Sequence, residues 1–405
     1  MLSFPPHLVR QYIRKFGITE SHTILDPFCG TGTTIVESKL HNISAIGIEA
    51  NPFAHFASSV KINWSINAKV LELYANEIAE HTLDDLSLQG IDDHSIFSGK
   101  AASLKLDTLR DTAQKLIISG SISPLPLHKT LLLLRNLRER AIDSSFENAL
   151  LALANALVFK ISNLRFGPEV GVGRSKSDYP VVKAWLHEIR KMVRDLRSVE
   201  GKSYPDCRAK LGDAREISQL VDAESIDAVI TSPPYPNEKD YTRTTRLESV
   251  VLGFVNDIEE LRKFKKTLVR SNTRNIYKDD RDHKWIANNE KVIKLAETIE
   301  KKRIELEKTS GFEKLYSKVT LQYFGGMARH FADLRRVLKP GAFLAYVVGD
   351  QASYLQVMIR TGELLADIAQ SLGYELVDID LFRTRFATAT STELREEVLI
   401  LRWPG

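Results

Sequence analysis

The chain predicts an α/β fold, a mostly parallel, doubly wound sheet carrying a large helical insertion. Three features predict it. Residues 22–50, "HTILDPFCGTGTTIVESKLHNISAIGIEA", read as strand, glycine turn, helix and strand, a βαβ unit whose parallel pair needs a right-handed crossover. A second block runs from "CRAKLGDA" near Cys207 to "IDAVITSPPY". A third, "FADLRRVLKPGAFLAYVVGD", reads as helix, turn and strand. Strands and helices that alternate along a chain stack as helices on both faces of one sheet.

Each element has a local reason. "TILD" and "SAIGIEA" are short apolar runs of the kind a sheet buries on both faces, and each ends in an acid. "TTIVESKLH" has helical spacing and opens directly after Gly30 and Gly32. "IDAVI" is a third buried run, stopped by Pro233 and Pro234, because proline fixes φ and removes a ladder donor. "GYELVDIDLFRT" and "REEVLILRW" read as two closing strands with a loop between them. The core is therefore assigned to residues 1–60 and 205–405, and a helical insertion to 61–204. In that insertion "HKTLLLLRNLRERAI" and "FENALLALANALVFKI" have helical patterns, interrupted by the basic loop "GPEVGVGRSKSDYP". A second, basic insertion within the core, 236–320, ends in the charged helix "NEKVIKLAETIEKKRIELEK".

Composition limits the function. With 405 residues, 43% hydrophobic and 27% charged, the chain has the makings of an ordinary globular core. No run approaches the roughly 18–20 apolar residues of a membrane span, and the N-terminus lacks a secretory signal pattern. Two cysteines, Cys29 and Cys207, are too few for a disulfide framework or a four-ligand zinc site, so no metal site is expected and a cytoplasmic location is. The net charge of +4 says little, but nine Lys/Arg against three Asp between Arg262 and Lys284 suggest a nucleic-acid footprint. Lys160 to Arg197 holds nine basic residues against four acidic.

"DPFCGTGTT" places a strand-end acid before a glycine turn that opens a helix, where free N–H groups point outward. It is neither the dinucleotide fingerprint nor a P-loop: the third glycine and the Lys-Ser/Thr are missing. Glu49 follows at the end of the next strand, where a carboxylate can accept from ribose hydroxyls, and Asp213 at the end of the one after. Acids at three successive strand ends describe a nucleoside site.

"DPFCGTGTT" with a downstream "TSPPY" resembles the S-adenosylmethionine-dependent DNA amino-methyltransferases, which modify cytosine N4 or adenine N6. The resemblance covers roughly 1–60, 205–235 and 320–405, and implies the Rossmann-like class I methyltransferase fold with S-adenosyl-L-methionine as cofactor. It implies that Asp26, Phe28, Cys29, Gly30, Gly32 and Thr33 surround the methionine part, with Glu49 and Ala50 at the ribose and Asp213 and Ala214 at the adenine. Phe4, Pro5 and His7 resemble the segment covering the methionine end. The implied partners are DNA and a cognate restriction or defence-system protein, with no membrane.

In that setting TSPPY has a chemical task. An exocyclic amino nitrogen is a poor nucleophile because its lone pair is delocalised into the ring. Acceptors aimed at its N–H protons draw it toward sp³; Ser232 Oγ and the Pro233 carbonyl supply them, Pro234 helps hold them rigid, and Tyr235 stacks on a flipped base. Serine favours cytosine N4, since the adenine members more often carry Asp or Asn there. C5 chemistry is excluded, because no cysteine follows this strand. The glycine turn precedes SPPY, whereas most N4-cytosine members have the reverse order; RNA guanine-N2 methyltransferases share the order found here. DNA contacts are expected from Arg243, Arg246, Lys265, Lys266, Arg270 and Arg274, with Arg174 and Lys176 in the insertion, the candidate target-recognition region.

Overall fold

A computed structural model describes residues 5–94, 96, 105–167, 169–387 and 392–405. The chain forms two compact units: 1–58, 204–241 and 264–405 in the first, 59–203 and 242–263 in the second.

The first unit is built on a seven-stranded sheet of β1 Thr23–Asp26, β2 Ser44–Glu49, β3 Cys207–Leu211, β4 Ile226–Thr231, β5 Leu338–Gly349, β6 Glu375–Ala387 and β7 Thr392–Arg402. Their order is β3-β2-β1-β4-β5-β7-β6. The first five are parallel, in register at Ala45↔Cys207, Leu25↔Ile46, Ile24↔Ala228 and Thr231↔Tyr346. β7 runs antiparallel between β5 and β6. This is the Rossmann-like fold of class I methyltransferases. Its order reverses between β1 and β4, and ligands bind beyond the carboxyl ends of the strands at such a switch point. Asp26 and Thr231 sit at those two ends.

The core follows from the apolar runs. Leu25, Ile48, Val229, Leu344 and Tyr346 pack with Tyr323, Phe324, Met327 and Phe331 of the helix Tyr316–Leu334. The helix Pro6–Lys15 begins with proline at its first position, where no donor is lost, and ends with Arg14 and Lys15 against its negative pole. The charged helix Glu290–Glu305 is capped by Asn289 and buries Val292, Ala296 and Ile299.

The second unit is mainly helical: Ala68–Leu88, Pro124–Glu139, Asp143–Ala156 and Val181–Val199. Trp185 is fully buried, its indole N–H donating to the Ala149 carbonyl at 2.9 Å. Lys129 is also fully buried, between Asp93 at 3.0 Å and Asp178 at 2.9 Å. Asp93 additionally accepts the Val181 and Val182 N–H groups that open the last helix.

The division differs from the sequence expectation in one respect. The stretch 236–320 is not a single insertion. Residues 242–263 belong to the helical unit, where Leu247, Val250 and Val251 are buried and the Leu252 carbonyl accepts from Arg138. Residues 264–320 belong to the sheet unit, through the apolar side of the helix Glu290–Glu305.

Candidate active site

The glycine turn is fastened at both ends. Cys29 N–H donates to the Ile48 carbonyl at 3.0 Å, holding the turn against β2. Gly30 and Gly32 have φ of 54° and 86°, left-handed values that glycine adopts freely. A Cβ on Gly32 would lie 3.0 Å from Ser58 Oγ, and Ser58 itself donates to the Gly30 carbonyl at 2.9 Å. The helix Thr33–Leu40 starts immediately afterwards, and Thr34 Oγ1 donates to the Ile230 carbonyl of β4.

Asp26 is wholly buried. Its Oδ1 accepts from Phe28 N–H at 3.1 Å and from Thr231 Oγ1 at 2.6 Å, so the β1 and β4 ends are tied directly together. Its Oδ2 has no partner among the described residues. Burial lifts its pKa to about 6 against the opposing pull of the Thr231 hydroxyl, the nearby Thr34 hydroxyl and Phe28 N–H. Glu49 takes Gly30 N–H on Oε2 at 2.8 Å and Asn51 N–H on Oε1 at 2.7 Å, and burial raises it to about 7. A carboxylate offers about four lone-pair sites, so Glu49 keeps acceptor capacity for hydroxyl donors after both backbone bonds. The orphaned Asp26 oxygen, the spare capacity of Glu49 and the open glycine turn suit a polar nucleoside cofactor.

Asp213, just past β3, is gripped by Arg215: Nε to Oδ1 at 2.9 Å, Nη2 to Oδ2 at 2.6 Å, and the Arg215 backbone N–H to Oδ1 at 2.9 Å. The Ala214 carbonyl accepts from His330 Nδ1–H at 2.7 Å, and His330 Nε2 accepts the Tyr346 hydroxyl at 2.6 Å. The same imidazole meets the Phe28 ring edge-on at 5.0 Å. Burial depresses the His330 pKa to about 4, so the ring is neutral near pH 7 and fixed in one tautomer.

After Thr231 comes the SPPY segment. Ser232 Oγ–H donates to the Val347 carbonyl of β5 at 3.2 Å, and the same hydroxyl is within hydrogen-bond reach of the Tyr235 phenol; a hydroxyl has two acceptor lone pairs, so one is left over. The Pro234 carbonyl is taken by the Tyr323 hydroxyl at 2.9 Å, whereas the Pro233 carbonyl takes no donor among the described residues. Tyr235 N–H reaches the Tyr241 hydroxyl at 3.4 Å. Its ring lies over Gly349, where a Cβ would already be in contact at 3.5 Å, and burial pushes its phenol well up.

Several sequence expectations are corrected. The Cys29 thiol faces inward toward Ser58 Oγ at 3.7 Å and the space above Gly47, and burial raises it far above the usual thiol range; its side chain is packing. Phe4 lies outside the described residues. Pro5 caps the first helix, and the exposed His7 ring meets Phe382 of β6 at 5.9 Å, four strands from β1 in the sheet order.

Among the basic candidates, Arg270 is only 3% exposed, and its donors go to Asp280 and to the Lys265, Lys266 and Leu268 carbonyls. It is a structural pin, not a phosphate contact. Lys265 is paired to Asp240 at 3.1 Å, and Lys266 to Asp279 at 2.9 Å. In the second unit Lys176 is spent on the Lys160 and Ser162 carbonyls, and Arg246 on Thr242. Arg243 is partly buried there. Arg174 and Arg274 are exposed, Arg274 lying 5.7 Å above the Phe312 ring. Thr231, Arg215, Tyr323 and His330 escaped the sequence reading. Thr231 was legible inside TSPPY; an isolated histidine or tyrosine in a helix carries no signal.

Sheet order and site together define an S-adenosylmethionine-dependent methyltransferase of Rossmann-like fold. The profile of the DNA methylase family, N6/N4 type, matches residues 2–58. The chain is 27% identical to the Type II methyltransferase M.BsoBI of Geobacillus stearothermophilus over 402 residues, 94% of this chain and 79% of that one. It is 29% identical to the Type II methyltransferase M.AvaI of Nostoc sp. (strain PCC 7120 / SAG 25.82 / UTEX 2576) over 160 residues, 38% of this chain and 32% of that one. Among solved structures, TrmN from Thermus thermophilus matches at 11% identity and TM-score 0.27, over 98% of this chain and 48% of that one; the fold rests on the sheet order itself. The chain is thus similar to DNA amino-methyltransferases of the N4/N6 type at its glycine turn and to a type II methyltransferase along most of its length. Among the described residues, no helix is long and apolar enough to cross a membrane.

Proposed function

We propose that this protein transfers a methyl group from S-adenosylmethionine to the exocyclic N4 of a flipped cytosine in DNA. The observation that carries the proposal is the difference between two neighbouring carbonyls. The Pro234 carbonyl is engaged by Tyr323, while the buried Pro233 carbonyl takes no donor among the described residues and stands beside a serine that donates to Val347. That pair of acceptors is what an amino group needs on its two N–H protons. Rigid placement makes the electrostatics preorganised, and Thr231, locked to Asp26, fixes the start of the segment.

The cofactor supplies an electrophilic methyl on a sulfonium. Around it the chain's own groups divide the work: Glu49 accepts from the ribose hydroxyls, Asp213 from the adenine amino group, and the turn Asp26–Thr33 borders the methionine part. Ser232 Oγ and the Pro233 carbonyl draw the amino nitrogen toward sp³, and the Tyr235 ring stacks on the base. In such a transfer the S–CH3 bond would break as the N–CH3 bond forms, leaving the neutral thioether, and the surplus amino proton would pass by way of the acceptor that holds it, Ser232 Oγ or the Pro233 carbonyl, to solvent. No covalent enzyme intermediate is needed. The exposed Arg174 and Arg274 are the side chains best suited to meet phosphates. The type II relatives make a cognate restriction activity the partner to seek.

The test is expression in a host, digestion of its DNA to nucleosides, and mass spectrometry. N4-methylcytosine is the expected product. N6-methyladenine would overturn the base assignment and keep the chemistry, and neither mark would direct the search to RNA. Absence of cofactor binding in calorimetry would leave a silent nucleic-acid-binding subunit as the reading.

A further inference from the structure

We propose that Arg215 is a positioning residue that couples the adenine end of the cofactor site to the loop following Tyr235. The inference rests on the reading of Asp213 as the acid at the adenine. Arg215 is 6% exposed, and its guanidinium is shared three ways. Nε and Nη2 clamp Asp213; Nη1 donates to Asp282 Oδ2 at 2.5 Å; Nη2 also donates to the Lys266 carbonyl at 2.9 Å. Lys266 closes the helix Ile258–Lys266, and its neighbour Lys265 holds Asp240, five residues beyond Tyr235, at 3.1 Å. Asp240 and Lys265 side chains are 5% and 11% exposed, so this pair is little screened by solvent. Two adjacent residues thus join the cofactor acid on one side to the target-base loop on the other.

A second feature shows that the fold makes room for this junction. The helix Tyr316–Leu334 carries Gly325 and Gly326 in its interior, a composition that weakens a helix by roughly 1 kcal/mol per residue relative to alanine. A Cβ at 325 would lie 2.1 Å from the Asp282 carbonyl oxygen. One at 326 would lie 3.3 Å from Asp282 Oδ2 and 3.8 Å from Arg215 Cδ. The two glycines let the turn Asp282–Ile286 sink against the helix and deliver Asp282 to Arg215. Arg329 holds the other Asp282 oxygen at 3.4 Å and Glu216 at 2.5 Å, which fixes that carboxylate from a second side.

The loop 236–241 is itself held by this segment. Glu238 accepts from Thr273 N–H and Oγ1 at 2.9 and 2.8 Å and donates its own N–H to the Ser271 carbonyl at 3.3 Å. Asn272 donates to the Lys239 carbonyl at 3.2 Å. A ligand that pulls on Asp213 therefore acts, through Arg215 and the 265–273 segment, on the backbone that carries Tyr235.

The experiment is hydrogen–deuterium exchange by mass spectrometry with and without S-adenosylhomocysteine, with its affinity measured by calorimetry. In the wild type the ligand should slow exchange at 26–34 and also at 236–241. Arg215→Lys keeps the charge but loses the fork, so ligand affinity should fall roughly tenfold. Protection at 26–34 should persist at saturating ligand, while that at 236–241 disappears. Asp240→Asn, remote from the ligand, should leave its affinity within about twofold and still abolish the protection at 236–241. Wild-type protection at 236–241 in both variants, or none there in the wild type, overturns the coupling alone. Failure of the wild type to bind the ligand overturns the cofactor reading and the coupling with it.

Discussion

Replacing Asp26 with asparagine should stabilise the protein at neutral pH while impairing cofactor binding. The carboxyl is fully buried, with one oxygen lacking any partner among the described residues, and its pKa rises from 3.8 to about 6. A displacement of about two pH units is worth about 3 kcal/mol between the two protonation states. A carboxyl that ionises later in the folded chain than in the unfolded one destabilises the fold wherever it is charged. The cost is complete above pH ~6, declines as the pH falls toward 3.8, and is gone below that. The asparagine side chain in Asp26→Asn retains the oxygen that accepts from Thr231 and Phe28 but places an amide donor where Oδ2 has no partner, at a cost of about 1–2 kcal/mol. The net gain at pH 7.5 is then about 1–2 kcal/mol, or a few degrees in melting temperature for a unit of this size. Calorimetric scans of both proteins at pH 7.5, 5.5 and 4.5 would measure it. The advantage should shrink steadily with acidification as Asp26 takes up its proton; Glu49, which the Asp26 charge helps hold up, ionises somewhat more readily in the variant and adds to the gain near neutral pH. A variant less stable at pH 7.5, or a difference unchanged across this range, would refute the account of Asp26 as a strained, functionally retained charge.

Tyr235→Ala should lose turnover by roughly 10–100-fold, the worth of one base-aromatic stack, with S-adenosylhomocysteine affinity unchanged in calorimetry; full activity would sink the stacking role. Arg270→Ala should lower the melting temperature, since it leaves the half-buried Asp280 carboxylate without its guanidinium and with only the Tyr277 N–H, at about 3 kcal/mol, whereas Arg274→Ala should leave stability intact. In DNA titrations across salt concentrations, Arg274→Ala should reduce the logarithmic salt slope by roughly one; an unchanged slope removes it from the phosphate contacts. Lys129→Met strands two buried carboxylates, Asp93 and Asp178, and should cost about 3–5 kcal/mol in thermal unfolding; unaltered melting would show that the triad adds nothing.

Local sequence was enough for features whose cause is local. Apolar runs of four to six residues made β1, β2 and β4 legible, prolines marked the stop at Thr231, and paired glycines marked the turn that needs left-handed backbone. The strand-end positions of Asp26 and Glu49, and the proximity of Asp213 to a strand end, followed from the same patterning, because a strand's length is written in its hydrophobic residues. Which charges were available to a ligand was not written there. Arg270 and Arg274 are alike in sequence context, yet one is buried against Asp280 and three carbonyls and the other is exposed. Basic residues identify a footprint only after their internal partners have been subtracted, and those partners arrive from distant positions.

The sequence by itself determined that this chain folds around a glycine turn and a proline-stopped strand, and that these two motifs resemble those of amino-methyltransferases. Only the tertiary structure decided how they are joined. Thr231 donates to Asp26 across 205 positions of sequence, and Arg215 links Asp213 to Asp282 and the Lys266 carbonyl. The physical reason is one of range. Backbone propensity and hydrophobic periodicity act over a few residues, whereas the pairing of buried polar groups is set by which strand ends and turns the completed core brings within hydrogen-bond distance.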